Sequence, residues 1–152
     1  MVNGMKLEEQ SALDQQLCFE FYSTVNAMNG VYRKLLRPYK ITYLQYLIML
    51  ILLRDGPCSL KELAEQLSLD SPSLTPVVKR LEKDGRLKRR RDPNDERTLI
   101  IEVTELGNEL LNVIPSIQAQ MSSCWGLQAA ETSHFRKMIR TVRASLERTV
   151  SE

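Results

Sequence analysis

The chain has 152 residues, 43% of them hydrophobic, with 21 Lys or Arg against 19 Asp or Glu and a formal net charge of +2. That length suits one domain around one core. It holds no run of 18 apolar residues to cross a bilayer, and MVNGMKLEEQ lacks the basic flank and apolar stretch of a secretory signal, so a soluble cytoplasmic protein with no membrane partner is expected.

Cys18, Cys58 and Cys124 are too few and too dispersed for a disulfide scaffold, and with a single histidine they offer no zinc spacing. No metal or other cofactor is expected. In a reducing compartment any disulfide among them is transient and regulatory. The charge is uneven: residues 79 to 91 carry eight Lys or Arg against two acids, a local +6 that leaves −4 for the rest. This concentration suits a polyanion-binding surface, the bland alternative being a solvated face.

Leu13, Leu17, Phe21, Val25, Met28, Tyr32 and Leu35 recur at helical spacing and predict a long first helix ending at Pro38. Thr42 to Gln45 has the form of a capping box opening a second helix, YLQYLIMLILLR, apolar nearly all round and so central to the core. Ser59 to Glu62 forms another capping box before the short helix LKELAEQL. A further helix, SPSLTPVVKRLEKD, is predicted to be capped by Ser71 with Pro72 in its first position, and to end at Gly85. Two short helices joined by a tight turn make a helix-turn-helix.

LKRRR and TLIIEV flank DPNDER and read as a two-stranded hairpin with a Pro-Asn tip, a wing. Thr104 can cap a following helix, bent at Pro115. The last helix carries Phe135, Met138, Ile139, Val142, Leu146 and Val150 on one stripe. The expected fold is therefore mainly α with a two-stranded β wing, a single domain spanning 1–152. Residues 42–103 form a winged helix-turn-helix. The apolar stripes of 10–38 and 105–150 exceed what one small core needs and predict an obligate homodimer through both chain ends.

The second helix of such a module enters the major groove with its N-terminal residues toward base edges and phosphates. Here that end offers the hydroxyls of Ser71, Ser73 and Thr75, followed by Lys79 and Arg80. The wing supplies Arg89, Arg90 and Arg91, and beyond its tip Arg97, with Asp95 placed to orient it. These residues in this order point to double-stranded DNA. Two wings in a dimer predict a pseudo-palindromic operator with half-sites roughly 34 to 36 Å apart.

With QLCFEFYS, LLRPYKITYLQYLIML, LAEQLSLDSPSLTPVVKRLEKDG and RRRDPNDERTLIIEVTELG in view, the sequence resembles the MarR family of winged-helix regulators, and within it the organic-hydroperoxide-responsive repressors. The resemblance covers most of residues 15 to 107. It implies that Cys18 is a peroxidatic, redox-sensing cysteine whose thiolate is hydrogen-bonded across the dimer interface by Tyr32 and Tyr43, with Tyr22 a turn away. Phe19, Phe21, Tyr46 and Met49 would then form an apolar surround favouring an organic hydroperoxide as oxidant. The thiolate is the species that attacks a peroxide, and hydroxyl donors favour it. The sulfenic acid that results condenses with a second thiol. Cys124, in SSCWG, stands where the two-cysteine members of the group carry a resolving cysteine. Three positions depart from the family pattern: Pro72 replaces a usual Gly, Ser73 a common Thr, and Arg86 a residue that is commonly apolar.

By periodicity alone Cys18 is a small apolar residue one step off the helical stripe, and the tyrosines are ordinary core aromatics. The expected function is a DNA-binding repressor, not an enzyme, that releases its operator when Cys18 is oxidised. The alternatives are a regulator of the same fold released by a small aromatic ligand, and a thiol peroxidase, for which wing and recognition helix have no purpose.

Overall fold

A computed structural model describes residues 16–93, 95 and 97–151. Leu13, the first residue of the predicted stripe, the opening residues of the 10–38 segment, and Asn94 at the wing tip lie outside the described residues. The chain divides into two compact units, the first reaching to Ile117 and the second running from Gln118.

In the first unit α1 (Leu17–Leu36) leads through a single 3-10 turn, Arg37–Tyr39, into α2 (Tyr43–Asp55). Pro38 sits in that turn, where its missing N–H removes no helical bond. The Thr42 capping box is present in full: Thr42 Oγ1 accepts from Gln45 N at 3.3 Å, and Gln45 Oε1 from Thr42 N at 2.9 Å. So is the Ser59–Glu62 box opening α3 (Leu60–Leu67). The α2 residues Tyr46, Ile48, Met49 and Leu52 occupy the centre of the core, where Leu63, Leu74, Val78, Leu81, Leu87 and Ile101 join them. The all-round apolarity of α2 has this cause.

The recognition helix α4 (Ser71–Lys83) is capped one residue earlier than expected: Asp70, not Ser71, accepts from Ser73 N at 2.7 Å. A carboxylate is the stronger acceptor, and Pro72 is as well tolerated at the second helical position as at the first, because both N–H groups lack intrahelical partners. Its far end closes on Gly85, whose φ of 75° is a conformation glycine adopts without a Cβ penalty.

The wing is β2 (Leu87–Arg91) antiparallel to β3 (Leu99–Val103), with Leu87 opposite Val103 and Arg91 opposite Leu99. The sheet has a third strand that the sequence did not reveal: β1 (Cys58–Ser59) pairs with β3, Cys58 opposite Ile101, giving the order β1-β3-β2. Thr104 caps α5 (Glu105–Asn108) as expected, accepting from Gly107 N at 3.1 Å. The expected bend at Pro115 is instead a break before it. A 3-10 turn, Glu109–Asn112, ends the first segment, and Pro115 stands in the first turn of a new helix, α6 (Ile114–Cys124).

The second unit contains the end of α6 and the long α7 (Ala129–Ser151). Phe135, Met138, Ile139, Leu146 and Val150 of the predicted stripe are exposed, as are Leu17 and Val25 on the N-terminal half of α1. Among the described residues no helix is long and apolar enough to cross a membrane.

Candidate redox site and DNA-reading surface

Tyr32, on the C-terminal half of α1, and Tyr43, the first residue of α2, meet where these helices join. Their rings stack with centroids 4.1 Å apart and planes 24° apart. Tyr46 lies beneath, 5.9 Å from Tyr32 by centroid. Burial, then the neighbouring phenols of Tyr43 and Tyr46, pushes Tyr32 up to about 12. Burial raises Tyr43 and Tyr46 as well. All three hydroxyls therefore stay protonated at physiological pH, as hydrogen-bond donors. A cleft of about 430 Å³ opens beside Tyr43, lined also by Asn29, Arg33 and Leu44.

Cys18 stands on the exposed first turn of α1, at the opposite end of the helix from Tyr32. Fourteen residues at the helical rise separate the two by about 21 Å. One chain therefore does not bring Cys18 to the tyrosine pair. Tyr46 and Met49, expected to wall the thiol, are core residues 1% and 0% exposed, while Phe19 and Phe21 are half-buried on α1. Cys124 ends α6, exposed, its thiol donating to Gln120 O at 3.2 Å. Cys58 is half-buried in β1. Burial, with the carboxylates of Glu62 and Asp55 nearby, pushes its thiol up, away from the reactive thiolate.

On α4, Leu74, Val78 and Leu81 face the core, leaving Ser73, Lys79 and Arg80 exposed and Ser71 half-buried. Two of the α4 residues expected to read DNA are engaged within the protein. Thr75 Oγ1 donates to Ser71 O at 2.9 Å, one turn back, and the Ser73 hydroxyl donates to Asp70 at 2.9 Å. Arg89 shares the inward strand face with Leu87, and its guanidinium binds Glu82 of the recognition helix, Nε to Oε2 at 2.8 Å and Nη2 at 2.5 Å. It braces wing against helix rather than extending toward a groove. Arg89 in turn holds the Glu82 carboxyl below its ordinary range.

On the outer face Lys88 and Arg90 flank Glu102 at 3.0 and 3.6 Å, and Lys88 is the larger cause of that carboxyl being held low. Arg91 and Arg97 are exposed at the outer end of the wing. Asp95 does not orient the Arg97 side chain as expected. Its Oδ1 accepts from the Arg97 backbone N–H at 3.0 Å and its Oδ2 from the Thr98 hydroxyl at 2.8 Å, shaping the turn from which Arg97 projects. Both bonds were within reach of sequence reasoning, because short-range side-chain to backbone bonds are what aspartate makes in turns.

A helix-turn-helix with an exposed basic recognition helix, braced to a basic hairpin, defines a winged-helix DNA-binding regulator. The family comparison agrees: residues 41–99 match the model of the MarR family. Over 145 residues the chain is 32% identical to the HTH-type transcriptional regulator SarZ of Staphylococcus epidermidis, covering 95% of this chain and 98% of that one. It is 43% identical over 95 residues to the organic hydroperoxide resistance transcriptional regulator of Bacillus subtilis, 62% of this chain and 65% of that one. Among solved structures it is similar to AbfR of S. epidermidis. Reduced AbfR bound to DNA matches with a TM-score of 0.78 at 33% identity, over 93% of this chain and 97% of that one. The disulfide-formed AbfR matches at 0.63 and 32%, over 99% and 100%. The chain belongs to the MarR family and is a DNA-binding transcriptional regulator within its organic-hydroperoxide-regulator-like group.

Proposed function

We propose that the protein is a homodimeric repressor that senses organic hydroperoxides at Cys18 and releases its operator when that thiol is oxidised. The observation that carries this reading is the stacked Tyr32–Tyr43 pair. Tyr43 of the pair lines an open cleft, both phenols are protonated, and Tyr32 is about 21 Å from its own Cys18, an arrangement that suits a sensing site completed by the Cys18 of a second copy. The exposed apolar residues of α1 and α7 support that dimer. The relatives described as a hydroperoxide resistance regulator and as a disulfide-formed regulator support the chemistry.

In the first step the Cys18 thiolate attacks the terminal peroxide oxygen, the O–O bond breaks, and the alkoxide leaves and takes a proton to become the alcohol. Cys18 is now a sulfenic acid, and the tyrosine hydroxyls that donated to the thiolate are free to rearrange. In the second step the Cys124 thiol of the partner chain attacks the sulfenic sulfur, forming an intersubunit disulfide and releasing water. The two Cα atoms must then lie within roughly 7 Å, which moves the elements that carry them and respaces the recognition helices.

The test is a mobility shift with DNA upstream of the protein's own gene, with and without cumene hydroperoxide, for wild type and Cys18→Ser. Wild type is expected to release and Cys18→Ser to stay bound. Release by Cys18→Ser would overturn the thiol mechanism.

A further inference from the structure

Arg86 joins three parts of the first unit. Its backbone N–H donates to Leu81 O at 2.9 Å and, with Gly85 N bonded to Glu82 O, closes the recognition helix. Its carbonyl accepts from Thr104 N at 3.1 Å, where β3 passes into α5. Its guanidinium Nη2 donates to Tyr39 O at 2.9 Å, across 47 residues of sequence, in the turn between α1 and α2. The two backbone bonds can be made by any residue, so only the third depends on the side chain.

That turn is tight. Lys40 sits at φ 55°, a region non-glycine residues rarely take, and its N–H bonds back to Arg37 O at 3.1 Å. Tyr43 begins the next helix and Tyr32 lies near the end of the previous one, so a displacement of the stacked pair shifts the Tyr39 carbonyl with it. A charged donor on a carbonyl is among the stronger hydrogen bonds of a protein and is directional, which suits it to carrying a shift.

We propose that the Arg86 guanidinium is a positioning link that couples the tyrosine-bearing α1–α2 junction to the end of the recognition helix and the base of the wing. What moves the junction rests on the redox reading above; the link itself does not. Coupling is reciprocal, so DNA on the recognition helix must also be felt at the junction.

The experiment is amide hydrogen exchange of the reduced protein, with and without duplex DNA upstream of its own gene, for wild type, Arg86→Met and Arg86→Lys. DNA is expected to slow exchange across residues 39–43 about fivefold or more in wild type, to do so in Arg86→Lys, which keeps a donor, and to leave that segment unchanged in Arg86→Met. The recognition helix should be protected in all three. Arg86→Gln, too short to reach Tyr39, replaces the Met variant if that one does not fold. Equal protection of the junction in all variants, or none in wild type, would overturn the link. A second arm adds cumene hydroperoxide: Arg86→Met is expected to lose its Cys18 thiol at the wild-type rate yet release DNA about fivefold less completely. If wild type keeps its DNA there, the redox reading fails while the exchange result still decides the link.

Discussion

The ring of Tyr32 lies on that of Tyr43, 4.1 Å between centroids, pinning α1 to the first residue of α2. The folded chain holds the Tyr32 proton more tightly than the unfolded chain does. The stability this represents is fully present below the ordinary tyrosine value, about 10, and is lost as pH rises toward about 12. Tyr32→Phe removes the largest of these contributions and is expected to flatten the alkaline loss of the thermal unfolding midpoint. The same decline in both proteins would contradict the assignment.

Tyr46 carries a buried hydroxyl with no hydrogen-bond partner among the described residues. A buried donor without a partner costs free energy, whereas the ring itself fills core volume. Tyr46→Phe is therefore expected to stabilise the protein by about 1 kcal/mol in urea unfolding. A loss of stability would mean that the hydroxyl is satisfied.

Arg89 and Lys79 are both basic and both near the DNA-reading surface, yet they are expected to behave differently. Replacing the brace as a pair, with Glu82→Gln and Arg89→Gln together, removes both charges. It should cost roughly 0.5 kcal/mol of stability, the pair being partly solvent-screened. It should weaken DNA binding without changing how binding falls with salt. Lys79→Gln should reduce the slope of log K against log salt by about 0.9, one phosphate contact. A comparable slope change for the brace variant would make Arg89 a phosphate ligand.

Gly107 sits where β3, α5 and α2 close together. A Cβ there would overlap the Arg86 carbonyl oxygen and come within 2.5 Å of Val103 Cγ1 and 3.0 Å of the Met49 methyl. Backbone cannot rotate aside as a side chain does. Gly107→Ala is expected to cost about 3 kcal/mol, measured as a lowered unfolding midpoint. A wild-type midpoint would refute the packing described.

Helical periodicity and capping chemistry are local, and they carried most of the fold: the α1 stripe from Leu17 onward, the boxes at Thr42 and Ser59, the Thr104 cap and the hairpin all stand where their residues imply. β1 was not legible because two residues have no period; Cys58 and Ser59 are a strand only because β3 lies beside them. The one-residue error at Asp70 arose where two good capping residues adjoin. At the site, sequence reported which residues are charged but not where they point. Strand alternation puts Arg89 on the side of Leu87, a signal that could have separated it from Arg90. No such signal exists for Arg86, whose partner is a backbone carbonyl 47 residues away.

In the proposed mechanism the state of Cys18 sets DNA occupancy. It is tested most directly by following both in one sample: fluorescence anisotropy of labelled upstream DNA as cumene hydroperoxide is added stepwise, with peptide mass mapping of Cys18 and Cys124 at each step. The fraction of DNA released is expected to follow the fraction of Cys18 oxidised, with a Cys18–Cys124 cross-linked peptide growing in parallel. DNA released while Cys18 remains a free thiol, or retained when Cys18 is fully oxidised, would contradict it.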